Sequence, residues 1–371
     1  MSLSPTRWAR LPIALVALAT ALVLAACGGG SGTAASGSSS SGSAGDDSLT
    51  VQLSWFSNAQ NGGWTAAQTQ GYLADAGFSD VTILPGGPNV SGIQLLASGR
   101  ADIAVTTAES YLQAKAQGLP ITAIYNEFDT PPTGVLVKQS TGWTKWSDLA
   151  GKSWTVAPIS LGWQWVQRSQ NIQFPTQNFN GTYAAFFASP DGVVQGYPTN
   201  TVYEARKQNI DLNYFSYASA GFNPYGQILA VTEDYAKNHG DTLKRALGAL
   251  SKGWTAYLTD VDAATKANDQ MLTENNQLAA DTNWFTWAGQ RPFVIGSRGG
   301  QQMGAMGDER WNTTVDQMKQ MGALPADWNP GGPLYDNSFL SDEVMPQLDA
   351  LPDAPAGSFQ GAAPAITAPT S

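Results

Sequence analysis

The chain has 371 residues, 42% hydrophobic and 13% charged, enough apolar material to pack a globular body of two lobes. Its formal net charge is −10, with no cluster of lysine and arginine, which argues against a nucleic-acid partner. A single cysteine and a single histidine, His239, exclude a disulfide framework and a multi-histidine metal site and argue against a Ser-His-Asp triad, so neither a metal nor a cofactor is expected.

Arg7 and Arg10 precede an apolar run over residues 11–26 that is short and alanine-rich for a membrane span of ~20 residues. The segment closes on Leu24-Ala25-Ala26-Cys27, which resembles the lipobox of bacterial lipoproteins. That resemblance implies cleavage before Cys27 and a diacylglycerol on its thiol. Residues 1–26 are then a signal peptide, and losing Arg7 and Arg10 takes the net charge from −10 to −12. Residues 27–47, Gly28-Gly29-Gly30 and then mostly Ser, Gly and Ala, bury nothing and read as a flexible tether. The expected product is a domain working outside a membrane and held there by lipid.

From Leu49 the pattern alternates strands with helices, the mark of parallel βαβ units and an α/β fold. Strands are expected over 49–55, 81–84, 101–105 and 121–125, with helices over 64–76, around 93–96 and around 111–114. Gly77 and Gly99 are placed to close the first two helices. Asp129-Thr130-Pro131-Pro132 is a rigid turn, taken as the crossing into a second lobe containing strands over 134–137, 154–156 and 192–195 and a helix from Trp163. The chain is expected to return around 225–231, after which Leu243, Leu247, Leu250, Trp254 and Leu258 line one face of a helix. The division is thus residues 48–131 with 225–352 as lobe 1, 132–224 as lobe 2, and a disordered tail over 353–371 rich in Ala and Pro.

In open α/β sheets ligands bind beyond the carboxyl ends of the strands. The residues placed there are Trp55, Phe56, Asn58 and Trp64 after the first strand, and Thr107 and Glu109 after the third. Lobe 2 adds Ser160, Gly162 and Trp163, then Tyr197, Thr199 and Asn200, with Tyr225 at the return. Large rings interleaved with short hydroxyls and amides suit a flat, mostly neutral heterocycle, which stacks while its nitrogens and carbonyls are hydrogen-bonded. A compact anion would call for arginine or helix amides with fewer rings. Glu109 offers a carboxylate to a ring amino group, or serves only the helix dipole. Thr107 and Ser160 double as helix N-caps, and the acids Asp260, Asp262 and Asp269 read as a solvated helix face.

In order along the chain, Leu53-Ser54-Trp55-Phe56-Ser57-Asn58, Gly71-Tyr72-Leu73, Leu96-Ala97-Ser98-Gly99-Arg100-Ala101-Asp102-Ile103-Ala104, Trp146-Ser147-Asp148-Leu149-Ala150-Gly151-Lys152, Gly196-Tyr197 and Gly221-Phe222-Asn223-Pro224-Tyr225 resemble the substrate-binding lipoproteins of ABC importers. Within these the likeness is to the thiamine-precursor family that also holds nitrate, sulfonate and taurine binders. It implies a periplasmic-binding-protein-like fold, two α/β lobes closing on a small molecule, a monomer, and ABC permease and ATPase subunits as partners. Trp55-Phe56 with Gly196-Tyr197 is nearest the branch binding the pyrimidine precursor of thiamine. That branch carries acidic residues soon after the position of Tyr197, where this chain has Thr199, Asn200 and Thr201, so riboflavin or another flat heterocycle stays open. A pyrimidine-phosphate synthase resembles the same binders but relies on histidine and a cysteine cluster, so the chain is expected not to be an enzyme. Receptors for nitrate, sulfonate or taurine, and a surface sensor without a transporter, are the other readings.

Overall fold

The computed structural model describes residues 48–87, 89–158 and 160–362. The signal-peptide, Cys27 and tether expectations lie outside these residues. Among those described, no helix is long and apolar enough to cross a membrane.

In chain order the first half runs β1 (Ser48–Gln52), α1 (Gly62–Thr69), α2 (Tyr72–Asp75), β2 (Asp80–Leu84), α3 (Gly92–Ala97), β3 (Ile103–Thr106), α4 (Ala108–Ala116) and β4 (Ile121–Phe128). Then come β5 (Gly134–Lys138), β6 (Trp154–Val156), α5 (Gly162–Ser169), β7 (Thr176–Asn178), α6 (Ala184–Ala188), β8 (Val193–Gly196), α7 (Thr201–Arg206) and β9 (Leu212–Ser216). The chain ends through β10 (Gln227–Thr232), α8 (Glu233–Asn238), α9 (Gly240–Thr259), α10 (Val261–Glu274), α11 (Ala280–Ile295) and α12 (Asp308–Gln320).

Two mixed sheets result, one ordered β2-β1-β3-β10-β4 and the other β7-β6-β8-β5-β9. In each, one strand runs against its neighbours: β10 in the first and β5 in the second. These are the strands that the chain enters on crossing between sheets. The crossing from β4 to β5 spans only residues 129–133, so the carboxyl end of β4 lies close to the amino end of β5. Because β4 runs with β1 and β3, and β8 runs with β6 and β9, the carboxyl edges of both sheets face the crossings. The edge at which open α/β sheets bind ligands is therefore turned, in each lobe, toward the other. The crossings are tied together at both ends, with Gly226 N–H donating to Phe128 O at 2.9 Å and Tyr217 N–H to Thr133 O at 3.2 Å.

Lobe 1 is held mainly by α9, whose Leu243, Leu247, Leu250, Trp254 and Leu258 are buried against α1 and the sheet. The two helices approach so closely that a Cβ on Gly63 would enter the Trp254 ring and one on Gly253 would strike the α1 backbone. Deep in this packing sits Glu127, 1% exposed, with Gln227 Nε2 donating to one carboxylate oxygen at 2.7 Å and Trp254 Nε1 to the other at 3.2 Å. Burial outweighs both hydrogen bonds and raises its pKa to about 7. A folded-state pKa above the unfolded value means that the native protein holds the proton more tightly. Stability from this group is therefore fully present below pH ~4.5, is lost as pH rises to 7, and is flat above it. The loss is about 3 kcal/mol. Glu127→Gln should flatten the stability profile between pH 5 and 7 and melt higher than wild type at pH 8; parallel wild-type and variant profiles in chemical denaturation would refute this.

Three local expectations are corrected. β1 stops at Gln52 rather than Trp55, because Gly86 packs directly on the backbone of 53–55 and Gly86 N–H donates to Trp55 O, turning that stretch out of the sheet. The helix expected over 64–76 starts at Gly62 and breaks at Gly71, whose φ of +79° interrupts it before α2. The segment expected to be disordered after Pro352 packs over 353–362: Phe359 lies edge-on to Tyr203 and Phe285, and Arg206 donates to the carbonyls of Gln360 and Ala362. Residues 363–371 lie outside the described residues.

Candidate functional site

On lobe 1 the loop after β1 presents Trp55 and Phe56, each 44% exposed and edge-to-face at 5.6 Å. Its other end is pinned from behind. Asn283 Oδ1 accepts from Ala59 N–H at 2.8 Å, Gln290 Nε2 donates to Ala59 O at 2.7 Å, and Asn275 Nδ2 donates to Ser57 O at 3.1 Å. Asn58 caps the short turn over 59–61, its Oδ1 accepting from Gln60 N–H. Thr107 caps α4 as expected, accepting from Ser110 N–H at 3.2 Å, and Glu109 occupies the first turn of that helix. Enough protein surrounds the Glu109 carboxyl for burial to raise its pKa, against opposing hydrogen bonds from its own backbone and from Thr107.

Lobe 2 answers with phenols. Tyr197, just after β8, is pushed up to about 12, chiefly by burial and further by the nearby Tyr183 and by Glu109, while a hydrogen bond with Thr133 of the crossing opposes. The charge of Glu109 on lobe 1 is thus felt at Tyr197 on lobe 2, which Thr133 of the crossing hydrogen-bonds. Tyr214 and Tyr217 extend the group: burial raises both, Tyr197 adds to each, and Tyr214 OH donates to Pro132 O at 3.0 Å. A Cβ at Gly162 would fall inside the Tyr217 ring, which is why the first residue of α5 is glycine. Tyr217 OH and Thr199 Oγ1 are buried and have no hydrogen-bond partner among the described residues. Leaving such a hydroxyl unmet costs about 1–3 kcal/mol, which a polar group reaching it would relieve. Asn200 Oδ1 accepts from the Thr201 hydroxyl at 3.0 Å.

Not every expected residue joins the group. Trp64 has no exposed surface and belongs to the lobe 1 core. Trp163 has its indole N–H donating to Ala157 O at 3.2 Å and its ring against Phe174. Ser160 N–H donates to the same Ala157 carbonyl, and α5 is preceded by Leu161 instead of being capped by Ser160. Tyr225 is consumed by the crossing, its OH accepting from Gly307 N–H at 2.7 Å and its ring lying under the Arg310 guanidinium at 4.8 Å. Sequence reasoning missed Tyr217. It directly follows β9, so the rule of searching just past each strand would have found it had Leu212-Asn213-Tyr214-Phe215-Ser216 been recognised as a strand.

Lobe 1 thus offers a carboxyl group with raised pKa and, on the loop after β1, a pair of exposed rings, and lobe 2 offers buried phenols. The charged groups acting on Glu109, Tyr197, Tyr214 and Tyr217 include no lysine or arginine among the described residues. The sequence over residues 58–264, more than half of the chain, matches the profile of the family described as NMT1/THI5 like. The chain belongs to that family. Within reach of it, the 4-amino-5-hydroxymethyl-2-methylpyrimidine phosphate synthase of Uromyces fabae is 23% identical over 330 residues, 81% of this chain and 90% of that protein. The synthase of the same name from Legionella pneumophila is 28% identical over 104 residues, and the chain spans only 33% of its length. A formylaminopyrimidine-binding protein of Halalkalibacterium halodurans is 21% identical over 234 residues, 59% of this chain and 68% of that one. In fold, the periplasmic aliphatic sulphonate binding protein SsuA of Escherichia coli superposes with a TM-score of 0.60 at 14% identity, over 75% of this chain and 94% of that chain. The NMT1/THI5-like chain therefore has the periplasmic-binding-protein fold.

Proposed function

We propose that this protein is an extracytoplasmic receptor of an ABC importer, a monomer lipidated at Cys27, that captures a flat heterocycle bearing amino groups between its lobes and hands it to a permease and ATPase. The observation that carries this reading is that Glu109 acts electrostatically on Tyr197 across the crossing, and Tyr197 on Tyr217, whose hydroxyl, like that of Thr199, is buried with no hydrogen-bond partner among the described residues. A nitrate or sulfonate held there would meet a carboxylate and no counter-charge. An aminopyrimidine supplies the donors that Glu109 accepts and the ring face that Trp55 and Phe56 cover. The formylaminopyrimidine-binding relative supports the same ligand class. The synthase relatives are weighed against the position of the sole histidine. His239 follows α8, which starts at the far end of β10 from the crossings, and it stacks on Tyr235 at 4.3 Å. That position keeps the imidazole away from the crossings and supports a receptor that releases its ligand unchanged.

Thermal unfolding of the protein against aminopyrimidines, thiamine, riboflavin, nitrate and alkanesulfonates tests this, since a ligand at ~100 times its dissociation constant adds about 2.7 kcal/mol. A shift with an aminopyrimidine or a flavin that disappears in Glu109→Ala is the expected result. A shift with the anions alone would overturn it.

A further inference from the structure

The first turns of α11 hold both lobes. Asn283 fixes Ala59 of the loop carrying Trp55 and Phe56, while its neighbours on the same helix grip α7. Asp281 Oδ2 accepts from Tyr203 OH at 3.1 Å, Thr282 Oγ1 donates to Glu204 at 2.7 Å, and Phe285 stacks on Tyr203 at 4.7 Å. In turn α7 begins immediately after Tyr197, Thr199 and Asn200. The segment 352–362 then clamps this contact from outside. Arg291 of α11 donates to Pro352 O, Phe359 packs edge-on against Phe285 and Tyr203, Gln360 N–H donates to Tyr203 OH at 3.0 Å, and Arg206 of α7 donates to Gln360 O and Ala362 O at 3.1 and 2.7 Å.

We propose that segment 352–362 is a strap that latches α7 of lobe 2 onto α11 of lobe 1, and so sets how far the two halves of the ligand site stand apart. The proposal rests on the receptor reading for what closure achieves, but the strap itself is a property of the chain without ligand. Any separation of the lobes at this edge must break the aromatic trio and release the Arg206 contacts together. That makes the strap a discrete switch between arrangements, with the closed one favoured while it is docked.

The test is the interlobe distance in ligand-free full chain, with spin labels on Gln68→Cys in α1 and Ser169→Cys in α5, both exposed, in a Cys27→Ser background. The docked strap predicts one narrow distance. Deleting 353–371 should move roughly nine-tenths of the molecules to a longer distance, a change of about a hundredfold in the closed-to-open ratio, with Phe359→Ala and Arg206→Gln shifting it in the same direction. A distribution that superimposes on that of the full chain in all three variants overturns the proposal. Should the deletion fail to fold, the two point variants decide alone. Failure of every heterocycle to bind would count against the receptor reading and leave this distance result standing.

Discussion

Tyr217→Phe raises the melting temperature of the free protein and at the same time weakens its grip on the ligand. The hydroxyl removed is buried and unpartnered among the described residues, and the ring it leaves behind keeps its contact with Gly162. Removing an unmet hydroxyl from a buried position should stabilise the fold by about 1–2 kcal/mol, read as a rise of roughly 2–5 °C. The bound state loses a hydrogen bond that no neighbour replaces, which costs about tenfold in Kd. Opposite signs from one atom separate a ligand-receiving group from a packing one. If the hydroxyl were merely solvated, the variant would melt at or below wild type and bind as well as before. Calorimetric melting and titration with an aminopyrimidine on the same sample read both effects.

Asp129→Ala carries the largest expected loss of stability. Asp129 lies in the first crossing, buried, with Oδ1 at 2.7 Å from Arg310 Nη1 and 3.3 Å from Arg298 Nε, while its backbone carbonyl also accepts from Arg310 at 2.6 Å. Burial lowers the pKa of Arg298 and the Asp129 carboxylate opposes that. Without the carboxylate, a guanidinium that is nearly sealed from water stays charged with no partner of opposite sign, a cost of about 3–5 kcal/mol. Because Arg310 also lies over Tyr225 of the second crossing, the same change loosens both connections between the lobes. The expected fall in Tm is roughly 10 °C, and added salt should not restore it because the cluster is shielded from mobile ions. Asp129→Asn, which keeps a hydrogen-bond acceptor, should lose less. A fall of under 2 °C in Asp129→Ala would show that the cluster contributes little.

Legibility in the sequence followed local chemistry. The alternation of strand and helix over 48–128, the caps at Gly77 and Gly99 with their positive φ, and the crossing at Asp129-Thr130-Pro131-Pro132 could be read because each is written in adjacent residues. The second lobe was harder. Thr176-Gln177-Asn178 is three polar, exposed residues at a sheet edge, and nothing in its composition distinguishes β7 from a loop. For the aromatic residues, position along the chain ranked candidates but could not say which way a ring points. Trp55 and Trp64 both follow β1, yet one lies 44% exposed and the other is sealed under α9. Tyr225 went to a charged cluster whose arginines, Arg298 and Arg310, arrive more than seventy residues later. Segment 352–362 misled for a different reason. Its Ala and Pro content resembles a disordered tail, and one ring, Phe359, together with backbone carbonyls offered to Arg206 and Arg291, suffices to dock it.

The place of β10 in its sheet has a consequence for how the chain becomes folded at all. It lies between β3 and β4, bonded to both, so that β4 joins the sheet only through a strand made about a hundred residues later. Until residues 227–232 arrive, β2, β1 and β3 can form a partial sheet while β4 has no edge to pair with. Everything from β5 to β9 must therefore collapse as an insert, bringing its two ends together, before lobe 1 can close. Such non-local pairing is slow, and it leaves the open edge of β3 exposed in the meantime. A chain that completes its first lobe last fixes the order of that lobe's sheet only once its final strand is in place.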